Sequence, residues 1–170
     1  MRFSLIDRIV DLQPSQSIRA MKALSLAEEY LQDHFPRFPV MPGVLMLEAM
    51  AQAARWLIYS SDDFAHPCVT LREARNVKYA DFVEPGQVLW IDATVVKEEG
   101  LLTTLKTQGM VGDKVAVSAR LVLERRRLAE QDPRMASFDH YAERRMREIF
   151  QQLYRPMAAV EAAVSAAAPA

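Results

Sequence analysis

The chain has 170 residues, 51% of them hydrophobic, and a formal net charge of -1. That length and apolar content support one buried core, while the near balance of charge removes any sequence-wide electrostatic case for nucleic acid or an anionic membrane. A single cysteine, Cys68, excludes an intrachain disulfide and fits a reducing compartment.

The opening "MRFSLIDRIVDL" places Arg2, Asp7, Arg8 and Asp11 where a signal peptide is apolar, so secretion is not expected. Residues 3 to 12 and 17 to 26 alternate in part and are separated by the polar turn cluster "QPSQS", which predicts a strand or short helix followed by a strand. "LSLAEEYLQD" reads as a helical turn or ordered loop leading into the proline-rich stretch. Pro42 and Gly43 then precede a segment rich in Leu, Met and Ala, all strong helix formers. Because proline is favoured in a first helical turn, a helix is expected from near Pro42 to near Tyr59, ended by "SSDD". The apolar run from Val44 to Ile58 is broken by Glu48, Gln52 and Arg55 and is shorter than the roughly 20 residues of a membrane span, so a cytoplasmic protein with no membrane span is expected.

Beyond that break, "CVTLREARNVKYADFV", "QVLWIDATVVKE", "LLTTLKTQGMV" and "KVAVSARLVLERR" are rich in Val, Thr and aromatics, and "EPGQ", "EEG" and "VGDK" separate them. The last three predict an antiparallel meander. One long apolar helix and several long strands predict an α+β domain over residues 1–125, in which a curved sheet wraps the helix. Residues 126–170 read as a charged linker, an amphipathic helix offering Phe138, Tyr141, Met146, Ile149, Phe150 and Leu153 for packing, and the mobile Ala-rich tail "AAVEAAVSAAAPA".

The segment "HFPRFPVMPGVLMLEAMAQAARWL" concentrates the candidate chemistry. Glu48, Gln52, Arg55 and Tyr59 recur at spacings of four, three and four and form one helical stripe, which is compatible with an ordinary wet face. Flanking Leu, Met and Ala residues make that stripe narrow, so Glu48 is expected to be largely desolvated; burial favours the protonated form of a carboxyl group, the form a general acid requires. Gly43 and Val44 offer unpaired backbone N–H groups at the positive end of the helix dipole, able to polarise a carbonyl. His34 precedes "FPRFP", where Pro36 and Pro39 restrict the chain, and is the candidate base. His66 and His140 read as structural or surface residues. With three scattered histidines and one cysteine, no metal site is expected.

This segment resembles the signature of the β-hydroxyacyl-acyl carrier protein dehydratases of type II fatty acid synthesis. Flanking similarity runs from about Phe3 to Glu124, through "FSLIDRIVDL", "NVKYADFVEPGQVL" and "LLTTLKTQGMVGDKVAVSARLVL". The resemblance implies a hotdog fold, homodimers or assemblies of dimers, an acyl carrier protein bearing a phosphopantetheine-linked chain, and no cofactor. It also implies that the motif histidine and glutamate meet across a subunit interface. His34 would then remove the α-proton of a 3-hydroxyacyl thioester, Glu48 would protonate the departing hydroxyl, and the Gly43 amide would hold the carbonyl. Arg37 stands where the family usually has glycine, positioned to narrow the entrance or attract the carrier. A hotdog thioesterase and a noncatalytic acyl-binding hotdog subunit are the alternatives.

Overall fold

The computed structural model describes residues 3–156. Six strands form one antiparallel sheet: β1 (Arg8–Gln13), β2 (Ser17–Ala23), β3 (Cys68–Tyr79), β4 (Val88–Glu99), β5 (Leu102–Val111) and β6 (Lys114–Arg126), in the order β1-β2-β4-β5-β6-β3. Helix α1 (Gly43–Ser61) lies between β2 and β3 in the chain, and α2 (Ala136–Leu153) follows the sheet. The meander is β4-β5-β6, as its punctuation suggests. Glu99 pairs with Leu102 and Val111 with Lys114, so each hairpin turns on two residues; Gly100 and Gly112 take φ of +58 and +56, values that L side chains resist. "LSLAEEYLQD" contains a short 3-10 turn at Glu29–Leu31.

Alternation decides which face of the sheet is dry. Leu89, Ile91 and Ala93 of β4, Leu105 of β5, and Ala119, Leu121 and Leu123 of β6 are buried, and α1 packs against β2 to β6. The helix meets the sheet with small residues: Ala49, Ala51, Ala53 and Ala54 are fully buried, with Met50 and Leu57 filling the space between. Alanine lets the two backbones approach closely while keeping high helix propensity, which is why so apolar a segment forms a central helix. At the other end of the sheet, the buried Lys22 pairs with Asp7 at 3.4 Å and Glu28 at 2.7 Å, tying the N-terminal segment to the loop after β2.

Helix α2 docks across the outer side of α1 through three anchors. Near its start, the buried Asp139 carboxylate accepts the amides of Leu128 and Ala129 at 3.2 and 2.9 Å, which fixes the connection from β6. At mid-helix, Arg147 forks onto both carboxylate oxygens of Asp63, at 2.6 and 3.1 Å, and lies over the Phe64 ring at 4.9 Å. That guanidinium holds the Asp63 carboxyl below the usual carboxylate range. At its end, Phe150 packs among Trp56, Phe64 and Tyr154, and the Arg155 amide donates to the Ile9 carbonyl at 2.9 Å.

The amphipathic reading of this helix needs one correction. Met146, Ile149, Phe150 and Leu153 pack on the core, but Phe138 and Tyr141 are 50% and 56% exposed. The buried stripe runs through Asp139, Met146, Phe150 and Leu153, and Phe138 and Tyr141 are rotated off it. The tail expected to be mobile, residues 158–170, lies outside the described residues.

Replacing Asp139 by Ala strands two amides at once. The expected loss is about 1–3 kcal/mol, the cost of buried donors left unsatisfied, read as a lower urea midpoint at unchanged slope. Faster proteolytic cleavage between β6 and α2 should accompany it.

Candidate active site

The loop before α1 is closed by its own backbone. Phe35 and Phe38 exchange amide-to-carbonyl bonds at 3.2 and 3.0 Å around Pro36 and Arg37, the Val40 amide donates to the His34 carbonyl at 3.2 Å, and the Met41 amide donates to the Val83 carbonyl at 2.9 Å. His34 is half-buried and its ring stacks on Phe35 with centroids 4.2 Å apart. Arg37 is exposed and makes no ion pair among the described residues. Phe38 meets the Phe82 ring edge-on at 5.5 Å, and Phe35, Phe38, Phe82 and Tyr79 all remain largely exposed.

Pro42 ends this loop and caps α1, its carbonyl accepting from Leu45 and Met46 at 2.9 and 3.2 Å. No capping side chain reaches the helix start, and the Gly43 and Val44 amides find no acceptor among the described residues. The structure gives a packing reason for glycine at position 43. A Cβ at this position would sit 3.0 Å from two carbons of the Tyr79 ring. The aromatic ring at the end of β3 rests against the first turn of α1.

Glu48 lies on the polar stripe of α1, but it is not desolvated as the narrow stripe suggested. Its side chain is 30% exposed and paired. The reason is local: the stripe faces away from the sheet, and its next members supply donors. Gln52 Nε2 donates to Glu48 Oε1 at 3.1 Å and Arg55 Nη1 donates to the same oxygen at 2.8 Å. Both donors share Oε1, which leaves Oε2 without a protein partner among the described residues. Gln52 also accepts the Leu5 amide at 2.8 Å and donates to the Phe3 carbonyl at 3.2 Å, so the N-terminal segment is pinned beside the carboxylate.

A cleft of about 510 Å³ opens next to Glu48, between the polar stripe of α1 and one side of α2. Arg55, Trp56 and Tyr59 line it from α1, and Met146, Ile149 and Leu153 from α2. Burial pushes the Tyr59 phenol above its ordinary value, so it stays a neutral donor at physiological pH. Met46 and Met50 of α1 are core, whereas Trp56 also borders the cleft.

The fold thus gathers His34, Arg37 and the Gly43 and Val44 amides at one end of α1 and sets Glu48 further along, beside the cleft. Within one chain His34 neither lines that cleft nor hydrogen-bonds to Glu48. Sequence reasoning recognised the stripe but missed the ion pair to Arg55. Its signal was present, since positions seven apart fall on one helical face. The Tyr79 contact and the α2 wall are long-range features with no local pattern to betray them.

The comparisons with known proteins bear on the family and the fold. A family model described as FabA-like domain matches residues 1–120. The 3-hydroxyacyl-[acyl-carrier-protein] dehydratase FabZ of Lactiplantibacillus plantarum is 41% identical over 116 residues, covering 68% of this chain and 79% of that protein. The protein of the same name from Campylobacter hominis is 38% identical over 122 residues, covering 70% and 84%. Among solved structures, the dehydratase heterocomplex ApeI:P from Xenorhabdus doucetiae superposes with a TM-score of 0.60 at 17% identity, over 78% of this chain and 89% of that one, a likeness of fold. The chain belongs to the FabA-like family, as a FabZ-like member with the hotdog fold, and its helix α2 lies beyond the residues the family model matches.

Proposed function

We propose that this chain dehydrates 3-hydroxyacyl-acyl carrier protein to the trans-2-enoyl thioester, in fatty acid or related lipid synthesis. The observation that carries the reading is a carboxylate held by two donors on one oxygen, with the other oxygen unpartnered among the described residues, at the edge of a largely apolar cleft. The two donors fix the carboxyl group and leave Oε2 to face a leaving hydroxyl. The family membership supplies the substrate class.

Elimination then runs through four atoms of the substrate. The Gly43 N–H, at the positive end of α1, donates to the thioester carbonyl oxygen as negative charge builds there and so acidifies the α-carbon. His34, as the neutral imidazole, takes the α-proton. The electron pair of that C–H bond becomes the carbon–carbon double bond, and the β-carbon–oxygen bond breaks. Glu48 delivers a proton from Oε2 to the departing hydroxyl, which leaves as water. Protonating Oε2 leaves Oε1 able to accept from Gln52 and Arg55, so both donors hold the carboxyl group in place through the cycle.

His34 and Glu48 of a single chain do not share one cleft, and the reading therefore includes a homodimer in which His34 of one copy faces Glu48 of the other. Two features support it. β3 is an edge strand of 12 residues whose outer side is open for pairing, and the exposed Phe35, Phe38, Phe82 and Tyr79 give an apolar area beside it. We place the enzyme in the cytoplasm; among the described residues no helix is long and apolar enough to cross a membrane. Arg37, exposed near His34, is suited to the phosphate of the phosphopantetheine arm or to an acidic carrier.

Hydration of a crotonyl thioester, followed by loss of enoyl absorbance, tests the central claim. His34→Ala and Glu48→Gln should each lower kcat by roughly 10²–10⁴ with little change in Tm. Release of free thiol would identify a thioesterase instead. A wild-type protein inactive on both carrier-protein and coenzyme A thioesters would identify an acyl-binding subunit.

Arg37→Gly should raise KM for the carrier-protein substrate and flatten its salt dependence, with kcat nearly retained. A fall in kcat at unchanged KM would refute a carrier-binding role. For the dimer, sedimentation equilibrium should report twice the chain mass, and a lysine in place of Phe38 should weaken the association.

A further inference from the structure

We propose that α2 forms one wall of the acyl-binding cleft, so that the acyl length this enzyme accepts is set by Met146 and Ile149, outside the FabA-like domain. The inference rests on the dehydratase reading above and adds to it where the hydrocarbon lies.

Three observations carry it. First, the cleft is of ligand size: about 510 Å³, within the roughly 300–1,000 Å³ typical of small-molecule sites. It follows α1 from Glu48 to Tyr59, eleven positions, or about 16 Å at the rise of a helix. Secondly, its lining is mixed. Glu48, Gln52 and Arg55 of α1 supply a polar cluster, while Trp56 of α1 and Met146, Ile149 and Leu153 of α2 supply apolar surface, with Ser4 and Gln152 polar as well. Arg145, also at the cleft, pairs with Glu148 at 2.5 Å. A molecule with one reactive polar head and a hydrocarbon tail matches this mixture. Its head belongs at the carboxylate.

Thirdly, the wall is fixed. Asp139, Arg147 and Arg155 hold α2 at its start, middle and end, and Phe150 is packed between Trp56, Phe64 and Tyr154. A wall that could swing away would accept any length, whereas a rigid one turns each added methylene into a clash. Met146 and Ile149 are partly buried side chains that complete the core on one side and border the open cleft on the other.

The test compares kcat/KM for hydration of crotonyl and trans-2-dodecenoyl thioesters of acyl carrier protein. Ile149→Trp fills the cleft and should lower the long-to-short ratio by roughly tenfold or more. Ile149→Ala enlarges the cleft and should move the ratio the other way, which guards against a misfolded tryptophan variant. In parallel, calorimetric titration with decanoyl-pantetheine, a saturated and unreactive probe, should show weaker binding to Ile149→Trp than to wild type.

A ratio unmoved in both folded variants, with equal probe binding, overturns the proposal and leaves the cleft to a second copy or to residues 157–170. A wild-type protein that hydrates nothing yet binds the probe, with Ile149→Trp impaired, sinks the dehydratase reading and sustains the cleft assignment.

Discussion

Everything in this molecule is arranged around the burial of α1. A helix whose Ala49, Ala51, Ala53 and Ala54 are all fully buried can be enclosed only if a sheet bends close against it, and β2 to β6 do so. Close approach is what alanine permits and larger side chains would forbid. It leaves one narrow strip of the helix turned outward, and the strip holds Glu48, Gln52 and Arg55. Core packing and the position of Glu48 are therefore one problem. The residue that cannot enter the sheet-facing core is the residue left available for chemistry.

The outward strip is in turn partly roofed by α2, which the family domain does not include. The roof converts an exposed polar face into the side of a cleft. Its supports combine a forked Arg147–Asp63 pair, an aromatic cluster and a backbone bond to β1, which are independent in kind. Exposed ion pairs alone contribute little. Here the pair serves more to fix the rotational setting of α2 than to hold it down, since the apolar contacts of Phe150 provide the adhesion.

How much of this was legible in the sequence depended on range. The meander followed from two-residue turns at Gly100 and Gly112 and from alternation in β4 to β6, all local signals. The helix followed from Pro42 and a run of strong helix formers. The specific segment around His34 and Glu48 pointed to the family, which the comparisons support. What escaped was set by tertiary geometry. The exposure of Glu48 depended on which side of α1 the sheet took, and the packing of Phe138 and Tyr141 on the rotational setting of α2. β3 occupies an edge beyond β6 although it precedes β4 in the chain, and no periodicity encodes that crossover.

Tyr79 against Gly43 has a mechanical meaning. The ring fills the volume where any other residue would carry a side chain, so the end of an edge strand and the first turn of the helix rest directly on one another. The Gly43 and Val44 amides at that turn are thus located by reference to the sheet margin as well as by the loop that precedes them. Whatever pairs along β3 pushes on the same contact. The margin of the sheet and the start of the central helix are thereby adjusted together, through one aromatic ring.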